Sequence, residues 1–204
     1  VSYAVNERGD SNASEQSGLS YCGQAKYPWD KKYHFVGSFR RDANSDFGTD
    51  VRWATFSSIG ASWTISNEDF WKIKEVDFAK LKFSFGTNGN SRIGAYKSKG
   101  VYSFDTDYRY NGSAGALMVS GENPLLSWET TYLYNAGLSL GLFKRISLEL
   151  EAYYNKTVDA LDDVYSTGTT GFEKITQNIG KLRNRGIEIT LKTQNIQRRD
   201  FAWT

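Results

Sequence analysis

The chain has 204 residues, with 25 basic and 23 acidic side chains and a net charge of +2. That balance excludes a generic basic nucleic-acid binder, whose electrostatic footprint is much larger. Aromatics make up 15% of residues, with 19 glycines but 2 prolines, a composition unlike that of a disordered tail. Cys22 and His34 are the sole residues of their kinds. They leave no basis for a disulfide framework, a His/Cys metal centre or a Ser-His-Asp hydrolase, and no cofactor is expected. Mean hydropathy is −0.55, and the longest apolar-or-Gly run, residues 114–119, is far too short for a membrane helix. Transmembrane strands escape that test, because only every second residue meets lipid.

Period-two alternation of apolar and polar residues dominates the chain. It predicts strands over residues 19–27 and 33–40, with Tyr33, Phe35, Gly37 and Phe39 on one side of the second. Further strands follow over 59–65, with Ile59, Ala61, Trp63 and Ile65 alternating with polar residues, and over 81–85. Residues 67–78 between them read as a brief helix capped by Ser66, with Glu68 and Asp69 in its first turn. The clearest alternation runs over 128–142, where the even positions from Trp128 to Leu142 are nearly all apolar or aromatic. Residues 146–155 repeat it, and the three residues between predict a tight antiparallel hairpin. Residues 187–192 make a seventh strand, and an eighth begins near Phe201.

Connections alternate in character. Residues 28–32, 67–78, 143–145 and 193–199 form a short set, and residues 42–51, 89–126 and 158–174 form long polar loops. Short turns at one end and long loops at the other describe a transmembrane barrel, whereas a sandwich mixes its loop lengths. Aromatics near the strand ends, Tyr27, Trp29 and Tyr33 at one end and Trp128, Tyr132 and Tyr134 at the other, fit two interfacial girdles. Aromatics favour strands anywhere, so a soluble β-rich module stays open as the alternative. Val1 is not an initiator, no leader follows it, and residues 200–204 read as a strand just starting. The expectation is a fragment of a longer protein.

Specific residues carry a resemblance. Tyr33-His-Phe-Val-Gly-Ser-Phe-Arg40-Arg41-Asp42, then Phe47-Gly48 and Arg52-Trp53, are similar to the barrel of SusC/RagA-type TonB-dependent transporters. So are Ser58-Ile-Gly60-Ala-Ser-Trp63, Leu81-Lys-Phe-Ser-Phe-Gly86-Thr-Asn-Gly89-Asn90 and Asn123-Pro124-Leu-Leu-Ser-Trp128-Glu129. Tyr153-Tyr154-Asn-Lys-Thr157-Val-Asp159 and Gln177-Asn178-Ile-Gly180-Lys-Leu-Arg-Asn184-Arg-Gly186-Ile-Glu188 continue the match in order. The resemblance implies an all-β fold: an antiparallel transmembrane β-barrel segment of seven or eight strands, from a barrel of about 22. Residues 1–17 would be an extracellular loop remnant and residues 18–204 a partial barrel, with the plug domain absent. It also implies an outer membrane of the Gram-negative, Bacteroidota type, with lipid and lipopolysaccharide around the wall. Partners would be the TonB complex, reached through an absent N-terminal region, and a SusD-like surface lipoprotein. Cargo would be a glycan or peptide, with no nucleic acid and no chemistry on the cargo. A passive porin-like barrel and a soluble carbohydrate-binding module are the rival functions.

Candidate sites are few. Asp42-Ala-Asn-Ser-Asp46 opens like a calcium loop, but Phe47 stands where Gly is required and Trp53 where a bidentate Glu should be. Gly86-Thr-Asn-Gly89 and Gly112-Ser-Ala-Gly115 lack the Gly-Lys-Ser/Thr of a phosphate loop and read as turns. Glu149 and Glu151 share a face at strand spacing and read as a hydrated wall beside Lys and Arg partners rather than an acid–base pair. The 89–126 loop is the candidate contact region. Tyr102, Phe104, Tyr108, Tyr110 and Asn111, with Tyr96 nearby, could stack on sugar rings and bond hydroxyls. The more ordinary reading of the same residues is packing against neighbouring loops or a lid lipoprotein.

Overall fold

Alternating apolar and polar residues make a strand with two unlike faces, and antiparallel pairing lines those faces up across a sheet. The computed structural model describes residues 15–91, 98–110, 113–167, 169–198 and 201–203. The strands are β1 (Gly18–Trp29), β2 (Tyr33–Asn44), β3 (Trp53–Thr64), β4 (Val76–Asn90), β5 (Val101–Tyr110) and β6 (Ser113–Ser120). They continue with β7 (Glu129–Leu142), β8 (Ile146–Tyr165), β9 (Lys174–Thr193), β10 (Ile196–Arg198) and β11 (Phe201–Trp203). The main sheet runs β1-β2-β3-β4-β7-β8-β9, and the β5–β6 hairpin joins at β9 through the single parallel pair Ser120↔Lys174.

Register explains the sheet's chemistry. One row crosses seven strands as Trp29, Tyr33, Trp63, Leu81, Leu138, Leu150 and Ile189. The neighbouring row reads Pro28, His34, Ser62, Lys82, Gly137, Glu151 and Glu188. The first is wholly apolar or aromatic and the second nearly all polar or small, so the sheet has one dry face and one wet face. Ile187 is 75% exposed and Ile59 62%. A continuous apolar face of this size on a soluble monomer would be an aggregation surface. Buried apolar side chains among the described residues are confined to six, and four of these form one cluster at an end of the sheet.

The strands run longer than their alternation suggested. β8 reaches Tyr165 and β9 begins at Lys174, so the loop expected over 158–174 shrinks to residues 166–173. Likewise β2 extends to Asn44. The 89–126 segment is not a plain loop, because it folds back as the β5–β6 hairpin. The strand at Phe201 forms, but it pairs with β10 in a separate two-stranded sheet. The helix expected over 67–78 is absent: a 3-10 turn at Ile65–Asn67 ends at Glu68, whose backbone is extended (φ −82, ψ 148). Ser66 therefore caps nothing, and its hydroxyl is buried without a partner. Tertiary bonds to the Glu68 side chain override the local helix signal.

Two turns close tightly. Asp30 and Lys31 (φ 51 and 53), and Phe143 and Lys144 (φ 54 and 56), are all left-handed, with Lys32 N donating to Trp29 O and Arg145 N to Leu142 O. These are the mirror-image turns whose twist matches paired strands. None of the four positions is Gly or Asn, so the pairing strands impose the backbone.

Candidate functional site

At the long-loop end, β3 and β4 pair from Thr64↔Lys80 up to Ser58↔Gly86 and then separate. Phe56 fills the gap; its ring lies where a Cβ on Gly89 would stand, at 2.0 Å. Residues 45–52 and 121–128 close over it. The Trp128 ring packs on Phe47 at 4.9 Å and on Phe56 at 5.8 Å, and Leu126 is fully buried beside them. Trp128 Nε1 donates to Arg52 O at 2.9 Å and Gly48 N to Leu126 O at 3.3 Å. Gly48 approaches so closely that a Cβ would lie 1.6 Å from Pro124 O. Each buried apolar side chain here contributes about 1.5–3 kcal/mol.

The segment before β7 is then fastened to the outer part of β9. Gly121 N donates to Lys174 O, and Asn123 Nδ2 to Thr176 O at 2.8 Å. Asn178 makes the strongest link. Its Oδ1 accepts from Ser127 N at 2.9 Å, and its Nδ2 donates to Ser127 O at 2.8 Å and Asp159 O at 2.9 Å. Asp159 is left-handed (φ 54), at a register shift between Thr157 and Ala160, so Asn178 ties a bulge in β8 to the loop. Beneath it, Asp163 accepts from Lys174 at 2.7 Å and Thr176 at 2.6 Å. Replacing Asn178 by Leu strands three backbone groups. The expected cost is about 1–3 kcal/mol, read as faster proteolysis within 121–128 of the full-length protein.

Beside this lies a polar cavity of about 190 Å³ lined by Ser45, Asp46, Arg52 and Ser98 among others. Asp46 is 3% exposed. Burial pushes its carboxyl up, against the lowering effect of the bond from Gln16 Nε2 at 2.5 Å.

The short-turn end holds an aromatic belt fastened to one carboxylate. Tyr33 and Trp63 stack at 6.2 Å, Trp29 tilts against Tyr33 at 5.6 Å, and Glu68 Oε1 accepts from Tyr33 at 2.7 Å and Trp63 at 2.9 Å. Lys32 Nζ lies 3.2 Å from Glu68 Oε2. The Tyr33 bond first, then Trp63 and Lys32, hold the Glu68 carboxyl below the ordinary glutamate range. A depressed carboxylate stabilises the fold at neutral pH and loses that contribution as pH falls through its lowered pKa. Acid titration of the full-length protein should therefore loosen this belt, seen in tryptophan fluorescence, and Glu68→Gln should remove the transition.

The sequence candidates fall in different places. Tyr102 lies on β5 opposite Met118 and is exposed. Phe104, Tyr108 and Tyr110 lie on the same strand. Asn111, Gly112 and Tyr96 lie outside the described residues. The would-be calcium loop is spent on other bonds: Asp42 pairs with Arg40 Nε at 2.6 Å, Asn44 Oδ1 accepts from Asp46 N, and Asp46 turns to Gln16. Glu149 and Glu151 lie on the wet face; Glu151 reaches Lys82 at 3.8 Å across Gly137, and Glu188 stands directly opposite it. His34 sits on the same face between Pro28 and Ser62. Among the described residues, no group of three or more His, Cys, Asp or Glu could hold a metal. Sequence reading missed Asn123 and Asn178 as fasteners. Both stand in quoted motifs, but nothing local shows that Asn123 meets Thr176, 53 residues away, or that Asn178 meets Ser127, 51 residues away.

A sheet that is dry on one face and wet on the other, belted by aromatics at one end and closed over by long loops at the other, is a section of transmembrane β-barrel wall. Residues 2–204 match the model of the TonB dependent receptor-like β-barrel family, and the chain belongs to that family of outer-membrane proteins. It is 34% identical over 204 residues to TonB-dependent receptor P39 of Formosa agariphila, covering 99% of this chain and 19% of that protein. It is 33% identical to TonB-dependent receptor SusC of Bacteroides thetaiotaomicron, covering 94% of this chain and 20% of that one. Among solved structures, the RagAB peptide transporter superposes with a TM-score of 0.83 at 33% identity, over 93% of this chain and 21% of that one. The siderophore receptor PirA of Pseudomonas aeruginosa, at 16% identity and TM-score 0.60, shares the fold. The chain spans about a fifth of the length of the curated relatives it matches.

Proposed function

We infer that these residues form part of the wall of an active importer in the outer membrane of a Gram-negative, Bacteroidota-type bacterium. The importer takes up oligosaccharides or other large nutrients such as peptides. Energy comes through the TonB complex, and a SusD-like surface lipoprotein covers the mouth. Residues 18–204 supply barrel wall, lumen lining and mouth, and residues 1–17 belong to an extracellular loop. The plug domain and the TonB contact belong to other parts of the protein. No chemistry on the cargo is expected. The observation that supports the reading best is the 33% identity to both SusC and RagAB across nine-tenths of the chain, in one register of wet and dry faces. Cargo contact falls to Tyr102, Phe104, Tyr108 and Tyr110, whose rings would stack on sugars or peptide side chains, and to Asn111, whose amide would bond hydroxyls.

The test is uptake of labelled oligosaccharides and peptides by cells carrying or lacking the full-length gene. The reading predicts that one cargo class is lost on deletion and also lost when TonB is disabled. Uptake that survives without TonB would mark a passive pore, and full-length protein found soluble without detergent would end the barrel reading.

A further inference from the structure

The dry face carries cations at one level. β1 runs eight residues from Trp29 to Tyr21, and β8 runs eight from Ile146 to Tyr154. At about 3.3 Å per residue and about 40° of tilt, each spans about 20 Å, close to the apolar band of a membrane barrel. Both therefore reach the far interface together. There Arg41 lies 5.2 Å from the Trp53 ring, which stacks on Tyr21 at 6.1 Å. Four strands away from Arg41, Lys156 pairs in register with Tyr132 on one side and Arg183 on the other. One step down, Tyr154 pairs with Tyr134 and Arg185.

Alternation puts Lys156, Arg183 and Arg185 on the same face as Leu150 and Ile187, and all three are exposed. Of the carboxylates of those strands, Glu149, Glu151 and Glu188 lie on the opposite face, and Asp159, Asp162 and Asp163 lie at or beyond the register shift that follows Thr157. None of the three cations has an ion-pair partner among the described residues. At the short-turn end the paired outward positions are apolar or aromatic, Trp29, Tyr33 and Trp63 on one side and Leu142 and Ile146 on the other. The cations there, Lys31, Lys32, Lys144 and Arg145, sit in the turns, Lys32 against Glu68. Outward-facing cations at one interface call for anions in that leaflet. Arginine forks fit phosphate oxygens in two-bond geometry, and tyrosine rings beside them suit an interfacial headgroup.

We propose that Lys156, Arg183 and Arg185, flanked by Tyr132 and Tyr154, bind the phosphates of a phosphorylated glycolipid in the outer leaflet. The inference rests on the outer-membrane reading above. The test uses the full-length protein in detergent, native mass spectrometry, and lipid A in bisphosphorylated and dephosphorylated forms. The wild type should retain the bisphosphorylated form and not the other. The Lys156→Gln/Arg183→Gln/Arg185→Gln variant should bind it on the order of a hundredfold more weakly. A wet-face control, Lys80→Gln/Lys82→Gln, should bind as wild type. If the triple variant fails to fold, Arg183→Gln alone should show about a fivefold loss. Equal retention of both lipids, or an outer-membrane-resident variant with unchanged binding, would overturn the patch while leaving the importer reading standing. Unchanged lipid binding with loss of a co-purifying acidic protein would also overturn it, assigning the patch to a protein partner. Full-length protein found outside the outer membrane would instead overturn the reading on which the patch depends.

Discussion

Trp128→Ala should open the mouth of the wall while leaving the strands below paired. Trp128 touches both Phe47 and Phe56 and donates to Arg52 O, so its removal deletes the centre of this apolar cluster and a bond to the 45–52 loop. Truncations of this kind cost about 3–5 kcal/mol. The cost falls on a local unit, because 45–52 and 121–128 hold each other through this cluster, the Gly48 N to Leu126 O bond and the indole bond to Arg52 O. Hydrogen exchange in the full-length protein should lose two to three orders of magnitude of protection in those two segments. Protection in β7 and β8 should be unchanged. Trp128→Phe keeps the packing and loses the indole bond, and should cost about 1 kcal/mol. Equal losses in both variants would mean that the bond, rather than the packing, closes the mouth.

Leu138→Arg should be the most damaging single charge on the dry face. Leu138 sits mid-strand in a row with Leu81 and Leu150, at the level where lipid is thickest. An arginine at the midplane of a barrel's outer face costs about 2–4 kcal/mol. Asn135→Arg, three residues away on the wet face beside Ser84 and Tyr153, should cost under about 1 kcal/mol. Urea unfolding of both full-length variants in lipid vesicles gives the comparison.

Much of the wall was legible because period-two alternation is local and each strand states its two faces by itself. The row from Trp29 to Ile189 is written in seven separate segments, and antiparallel register brings them together without further information. What the sequence hid depends on distant partners. The Ser66–Asp69 stretch carries every local mark of a helix start, yet Glu68 is drawn out by Tyr33 and Trp63. The β5–β6 hairpin lacks clean alternation, since its strands shift register twice. Asn178 looks like any strand polar residue until Ser127 is brought against it from 51 residues away. Of the proposed contact residues, Tyr102 stands exposed on β5 opposite Met118.

The central claim is that even-numbered residues of β7 face lipid and odd-numbered ones face water. Single cysteines at 134 to 141 in the full-length protein, on a background with Cys22 and any other native cysteine replaced by serine, can be spin-labelled in native-like bilayers and probed with oxygen and a water-soluble nickel complex. The account predicts oxygen-accessible labels at 134, 136, 138 and 140 and nickel-accessible labels at 135, 137, 139 and 141. Nickel access at every position, or the opposite alternation, would contradict it.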